Sequence, residues 1–367
     1  MSDRPFPHPR ENPHCAGHDD AFAAFERARK SGRLPHAWLL QGPRGIGKAT
    51  LAYRLARHLL TGPDENADDP DSPVFRRIAH GSEPDLHVLS RRPHPRTGKL
   101  QNHIVIETVR ETIERMHETA SGTRGRVIIV DAVDILNVNA ANSFLKLLEE
   151  PPPSTVLLLV CHRPGAVLAT IRSRCAQMTL RPPDTATTAR IITPWLDDRP
   201  AGEIDALARL AEGSPGRALK LAGTGFLEAY AALLEAASPQ PPDAASPQPH
   251  AHPDPTLRTR AVFDILAGML DRGDIHLAGD LLRQTLHRLC LAAGGASTGA
   301  PLVDRESERL SAIAESGPLD HWASLWDKLS SLSNRVELLN NDARQELMLA
   351  AIDLVNGSAT PNRLSPI

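Results

Sequence analysis

The segment Gly42-Pro43-Arg44-Gly45-Ile46-Gly47-Lys48-Ala49 spaces its glycines and lysine for one kind of chemistry, the holding of phosphate. Glycines let backbone N–H groups close in on phosphate oxygens, a following helix N-terminus adds partial positive charge, and a lysine reaches the outer phosphates. The flanking residues supply that context: Ala37-Trp38-Leu39-Leu40 reads as an apolar strand and Lys48–Leu60 as a helix. Only six residues of the 367 are lysine, so Lys48 at this position is hard to ascribe to chance. The candidate nucleotide contacts are Gly42, Gly45, Gly47 and Lys48, with Ala49 and Thr50 next along the helix.

Two positions depart from a working phosphate-transfer site. A hydroxyl directly after the lysine would ligate the magnesium that bridges the phosphates, but Ala49 stands there and Thr50 lies about 100° further round the helix. The matching acid at a buried strand end is present in Val127-Ile128-Ile129-Val130-Asp131. The residue after it, where a glutamate would activate the attacking water, is Ala132. A general base is worth roughly 10²–10⁴-fold in rate, so the loop is expected to hold ATP without turning it over.

The elements that position these groups alternate. A helix at 18–30, the strand and helix just named, a strand at Asp85–Leu89, a helix at Glu107–Thr119, the strand Val127–Val130, a helix near Val138–Leu148 and the strand Val156–Val160 follow in order. Short continuous apolar runs separated by helices are the pattern of a parallel sheet buried on both faces. The acidic segment Gly62–Val74 reads as a hydrated insertion. After Pro182-Pro183 strand signals stop, and 185–236 reads as short helices punctuated by Gly213-Ser214-Pro215-Gly216. Residues 238–255 are proline-dense and read as a linker, followed by amphipathic helices such as Ala261–Leu270 and Leu277–Ala293 within Thr256–Asn356.

Composition limits the classes available. Hydrophobic residues make up 41% and charged residues 23%, which suits a globular chain rather than a disordered or membrane-embedded one. With 41 Lys plus Arg against 44 Asp plus Glu, no general basic surface exists to grip nucleic acid alone. Cys15, Cys161, Cys175 and Cys290 are scattered, which fits a reducing compartment and excludes a four-cysteine zinc module. The N-terminus carries no apolar targeting core and no run approaches 18 apolar residues. A cytoplasmic protein with no membrane partner and no zinc is expected.

Four further segments carry a resemblance: Gly32-Arg33-Leu34-Pro35-His36-Ala37-Trp38-Leu39-Leu40, Asn142-Ser143-Phe144-Leu145-Lys146-Leu147-Leu148-Glu149-Glu150-Pro151-Pro152, Thr170-Ile171-Arg172-Ser173-Arg174-Cys175 and Gly213-Ser214-Pro215-Gly216-Arg217-Ala218-Leu219. With the glycine loop they resemble the clamp-loader AAA+ ATPases, in particular the delta-prime branch of bacterial DNA polymerase III, in the family's order over about 20–222. The resemblance implies a fold in three parts: an AAA+ P-loop parallel-sheet α/β module over 1–183, a small helical lid over 184–237 and, past the 238–255 linker, an all-helical collar over 256–367.

It also implies partners: gamma/tau and delta subunits, the sliding clamp and primed DNA, within the polymerase holoenzyme. In that family the arginine of Ser-Arg-Cys projects into the neighbouring subunit's ATP site, a role carried here onto Arg174, and such an arginine in trans is worth roughly 10³–10⁵ in rate. Arg217 matches the lid arginine that reads the chain's own nucleotide, beside a reading as merely structural. Cys161-His162 replaces the polar sensor that ends the equivalent strand in active motors, and Gly62–Val74 stands where many delta-prime relatives carry zinc. Trp38, which with His36 could form a base-stacking pair, reads instead as core, and Glu149-Glu150-Pro151 reads as a proline-stopped helix end. Two other readings compete: an active ATP motor with magnesium held by Thr50 or water, and a lone DNA-binding module, which the net charge of -3 opposes.

Overall fold

The computed structural model describes residues 8–13, 15–62, 65–118, 125–239, 255–271, 275–333 and 340–356. Residues 240–254 of the proline-dense segment and Thr119 of the helix expected at Glu107–Thr119 lie outside the described residues. The chain divides into two compact units, Met1–Asp198 with Ala208–Leu219, and Arg199–Leu207 with Lys220–Ile367.

In the first unit the chain runs α1 (Asp19–Lys30), β1 (Ala37–Gln41), α2 (Lys48–Leu60), α3 (Pro73–His80), β2 (Leu86–Ser90), α4 (Ile106–Glu118), β3 (Arg126–Asp131), α5 (Val138–Glu149), β4 (Thr155–Cys161), α6 (Ala169–Arg172), β5 (Ala176–Thr179) and α7 (Thr185–Ile192). The strands form one sheet in the order β2-β3-β4-β1-β5, every neighbouring pair parallel. This is the α/β parallel-sheet class expected from the sequence. Leu39, Leu40 and Leu157 through Cys161 are fully buried, because the central strands are covered on both faces. Trp38 and Leu40 join Phe25, Leu51 and Leu55 on one side, while Ala37 and Leu39 join Val109, Phe144 and Leu147 on the other.

The register decides where chemistry gathers. Gln41 pairs with Cys161 and Asp131 with Val160, so the loops leaving β1, β3 and β4 emerge from three adjacent strands at one sheet edge. That edge, outside the carboxyl ends of parallel strands, is where α/β folds place ligands.

The acidic insertion is not simply hydrated. Asp68 forms an ion pair with Arg54 at 2.8 Å and lies 3.4 Å from the His58 ring and 3.8 Å from Arg57, tying the insertion back onto α2. Burial works against its charge, but the nearby His58 ring and the hydrogen bonds from Arg54 hold its carboxyl well below the usual carboxylate range. The insertion also ends in structure: Ser72 accepts a hydrogen bond from the Phe75 N–H at 3.2 Å, Pro73 opens α3 and Gly81 closes it in the left-handed region.

Helices α8 (Ala201–Leu210) and α9 (Pro215–Gly223) each contribute residues to both units. The second unit continues with α10 (Phe226–Ala237), α11 (Pro255–Asp271), α12 (Ile275–Ala293), α13 (Glu306–Ala314), α14 (Leu319–Ser333) and α15 (Asn340–Asn356). Its interior holds a charged network. Glu306, 1% exposed, receives the Tyr230 hydroxyl at 2.5 Å, Arg288 at 2.5 Å and the Leu302 N–H at 2.5 Å. A buried carboxylate is tolerated when donors satisfy it in this way. Among the described residues no helix is long and apolar enough to cross a membrane.

Candidate functional site

The phosphate loop occupies the turn from β1 to α2. Gly47 opens α2 with φ +102°, and Gly45 adopts φ +82°, a region that side chains rarely enter. Lys48 is only 2% exposed and turns its ammonium back onto the loop, donating to the Gly42 carbonyl at 2.7 Å and the Pro43 carbonyl at 2.5 Å. Burial lowers its pKa to about 8, although Cys161, Asp134 and Asp131 pull the other way. Ala49 packs its methyl against the core, where a magnesium-binding hydroxyl would have to face the phosphates, and Thr50 is half-buried one position on.

Asp131 ends β3, and burial raises its pKa despite the attraction of Lys48 and Arg44. Asp134, in the turn that follows, has a side chain only 1% exposed. It accepts the His162 N–H at 2.8 Å and lies 3.6 Å from the Arg163 guanidinium, which fixes the end of β4 against the turn after β3. Burial and the charge on Lys48 drive the His162 imidazole down to about 4, and its buried Nδ1 lacks a hydrogen-bond partner among the described residues.

The expected lid arginine arrives with its neighbours. The Ser214 hydroxyl donates to the Arg44 carbonyl at 3.1 Å, and the Gly216 N–H donates to the Gly45 carbonyl at 2.9 Å. The Arg217 N–H is held by the Ser214 carbonyl at 2.9 Å, and its guanidinium lies 4.0 Å from Glu212. A Cβ on Gly45 would fall 2.3 Å from the Ser214 hydroxyl, so residues 214–217 lie directly on the loop. Gly42, Gly45, Gly47, Lys48, Ala49, Thr50, Asp131 and Arg217 thus belong to one region, and Arg174 makes its contacts elsewhere. Its side chain, 38% exposed, pairs with Glu149 at 2.6 Å and donates to the Thr170 carbonyl at 3.0 Å.

Sequence reasoning missed three participants. His18, 5% exposed, places Nε2 2.7 Å from the Ile46 carbonyl and braces the loop from behind. Burial lowers its pKa, which favours the neutral ring as N–H donor. Asp134 could have been suspected from lying three residues beyond Asp131, whereas nothing local marks His18, and Glu149 shows in the sequence as a helix end and not as the partner of Arg174. Trp38 is core: its ring stands 5.3 Å from Phe25 and its indole N–H donates to the Pro35 carbonyl at 3.1 Å.

The donor set fits a phosphate better than a metal. Loop N–H groups and Lys48 are the groups that would hold phosphate, once the lysine releases two carbonyls. Magnesium finds no hydroxyl at Ala49 and finds in Asp131 a carboxylate that burial pushes toward its neutral form. Among the described residues no group of three or more His, Cys, Asp or Glu is arranged to hold a metal ion.

Comparison with known proteins finds relatives over about half of the chain. The family model described as DNA polymerase III, delta subunit, matches residues 17–184. The chain is 36% identical over 201 residues to a DNA polymerase III subunit delta' of Pseudomonas aeruginosa, covering 54% of this chain and 60% of that protein. It is 34% identical over 204 residues to the Escherichia coli subunit delta', covering 54% and 58%, and 28% identical over 214 residues to the Escherichia coli subunit tau, covering 56% and 31%. The chain therefore spans under two thirds of the length of these relatives. The stretch matched by the family model holds the phosphate loop, Asp131 and Arg174, while Arg217 lies beyond it.

Proposed function

We propose that the chain is a delta-prime-like subunit of the DNA polymerase III clamp loader. It does not hydrolyse ATP itself; it joins gamma/tau and delta subunits in the assembly that places the sliding clamp on primed DNA, and it lends Arg174 to a neighbour's ATP site. In this reading 1–183 is the AAA+ module, 184–237 the lid and 256–367 the collar through which subunits associate in the cytoplasm.

The observation that carries the reading is the state of the phosphate loop. Lys48 is spent on two loop carbonyls, Ala49 faces the core, and residues 214–217 are fastened to Arg44 and Gly45. With Ala132 where a water-activating carboxylate would stand, the loop retains a phosphate cradle without the groups that drive transfer. Arg174, by contrast, is partly exposed, and its guanidinium has five N–H donors, more than its two contacts use.

The test is ATP turnover by the purified chain with magnesium, alongside nucleotide binding by equilibrium dialysis. The expected rate is at least about 100-fold below that of a motor subunit, the factor a missing general base accounts for. Turnover matching a motor subunit would replace this reading with that of an active ATPase.

A further inference from the structure

The two segments Leu147–Pro152 and Ser173–Cys175 share the apolar core beneath them through Leu147, Leu148 and Cys175, and meet at the surface in an ion pair. Glu149 is the last residue of α5, ahead of Glu150 and three prolines, and Arg174 sits in the turn after α6. The guanidinium Nη2 lies 2.6 Å from Glu149 Oε1, and Nη1 donates to the Thr170 carbonyl at 3.0 Å. That carbonyl is fixed by its own turn, where it also accepts the Ser173 hydroxyl at 3.1 Å. Both terminal nitrogens, the fork that would grip a phosphate bidentately, are thus engaged within the chain.

We propose that Glu149 is a latch on Arg174: it parks the guanidinium against its own subunit until a neighbour's nucleotide displaces it. This rests on the reading above that Arg174 acts in trans. Three points of physical chemistry support a latch over a support. A carboxylate beside an arginine that must meet an anion cancels part of its charge and repels the incoming phosphate. The pair is open to water, 38% and 50% exposed, and exposed pairs are weak enough to exchange freely. A terminal phosphate also carries more charge than a carboxylate and presents more acceptor oxygens, so a closed subunit interface shifts the arginine from Glu149 to the phosphate. Glu149 is then a positioning residue that sets how readily the neighbouring site fires before the assembly has closed on DNA.

The test uses the reconstituted clamp loader with the full-length chain, comparing wild type, Glu149→Gln, Glu149→Ala, Arg174→Ala and Glu149→Gln with Arg174→Ala. Turnover without DNA is expected to rise about two- to five-fold in both Glu149 variants, the range set by an exposed ion pair, while DNA-stimulated turnover stays within about two-fold. The rise should shrink as salt screens the pair, and the double variant should match Arg174→Ala alone. Melting temperatures should not move, which separates release of the arginine from loss of structure. Unchanged or lowered turnover in the Glu149 variants, with Arg174→Ala still slowing the complex, overturns the latch and leaves the trans role standing. Unchanged turnover in Arg174→Ala overturns both.

Discussion

Gly45→Ala tests how firmly the phosphate loop is held by the segment from Ser214 to Arg217. The new Cβ would lie 2.3 Å from the Ser214 hydroxyl and 3.4 Å from the Arg217 nitrogen, so the two segments must part. The backbone there has φ +82°, and a left-handed conformation costs a non-glycine residue about 1–2 kcal/mol. Parting the segments also strains two hydrogen bonds, Ser214 to Arg44 at 3.1 Å and Gly216 to Gly45 at 2.9 Å, each worth about 0.5–1.5 kcal/mol net. Together these place the loss near 2–5 kcal/mol. Urea unfolding followed by circular dichroism measures it. Because the obstructing atom is a hydroxyl, the same change in a Ser214→Ala background should cost less, and the difference is the coupling between loop and segment. A loss under about 1 kcal/mol, or one that Ser214→Ala leaves untouched, would refute the contact as a source of rigidity.

Lys48, whose pKa burial lowers to about 8, binds fewer protons folded than unfolded between that value and its ordinary 10.5. Stability should therefore rise with pH from about 8 toward 10.5, and Lys48→Met should remove that rise when denaturation midpoints are compared at pH 7.5 and 9.5. Cys15, Cys161 and Cys175 are pushed up to about 11 by burial, so only about one thiol in a thousand is thiolate at pH 8; a disulfide-exchange reagent should label them far more slowly than a free thiol, and rapid labelling of the native chain would contradict the packing around them. In the second unit, Glu306→Ala strips Arg288 of its buried partner and should cost about 3–5 kcal/mol, whereas replacing both with apolar residues should recover much of that loss in the same unfolding assay.

The parts of this fold that the sequence discloses are those governed by neighbours in sequence. The apolar runs of β1, β3 and β4 announce a sheet covered on both faces, and α2 begins and ends at Lys48 and Leu60, where the helical pattern does. Helix α3 and strand β5 escape notice because they are short: eight residues and four, the latter alternating burial with exposure. The acidic insertion misleads for a different reason, since Asp68 reads as hydrated until Arg54, 14 residues away, is seen beside it. The same holds at the site. Glycines, lysine and the strand-end acid are visible as a pattern, but Ser214 reaches Arg44 across 170 positions and His18 reaches Ile46 across 28, and no local spacing records either. Glu149 was legible as a helix end; its pairing with Arg174 depends on how α5 and the turn after α6 are brought together by the sheet.

The account turns on whether Arg174 acts outside its own subunit, and the most direct measurement is single-turnover ATP hydrolysis at the neighbouring site in the assembled complex on primed DNA. An arginine supplied in trans is worth roughly 10³–10⁵ in rate, so Arg174→Ala should slow that site at least tenfold even if other subunits partly compensate, with the complex still assembling on a sizing column. A neighbouring site that fires at the wild-type rate in the intact complex would contradict the account.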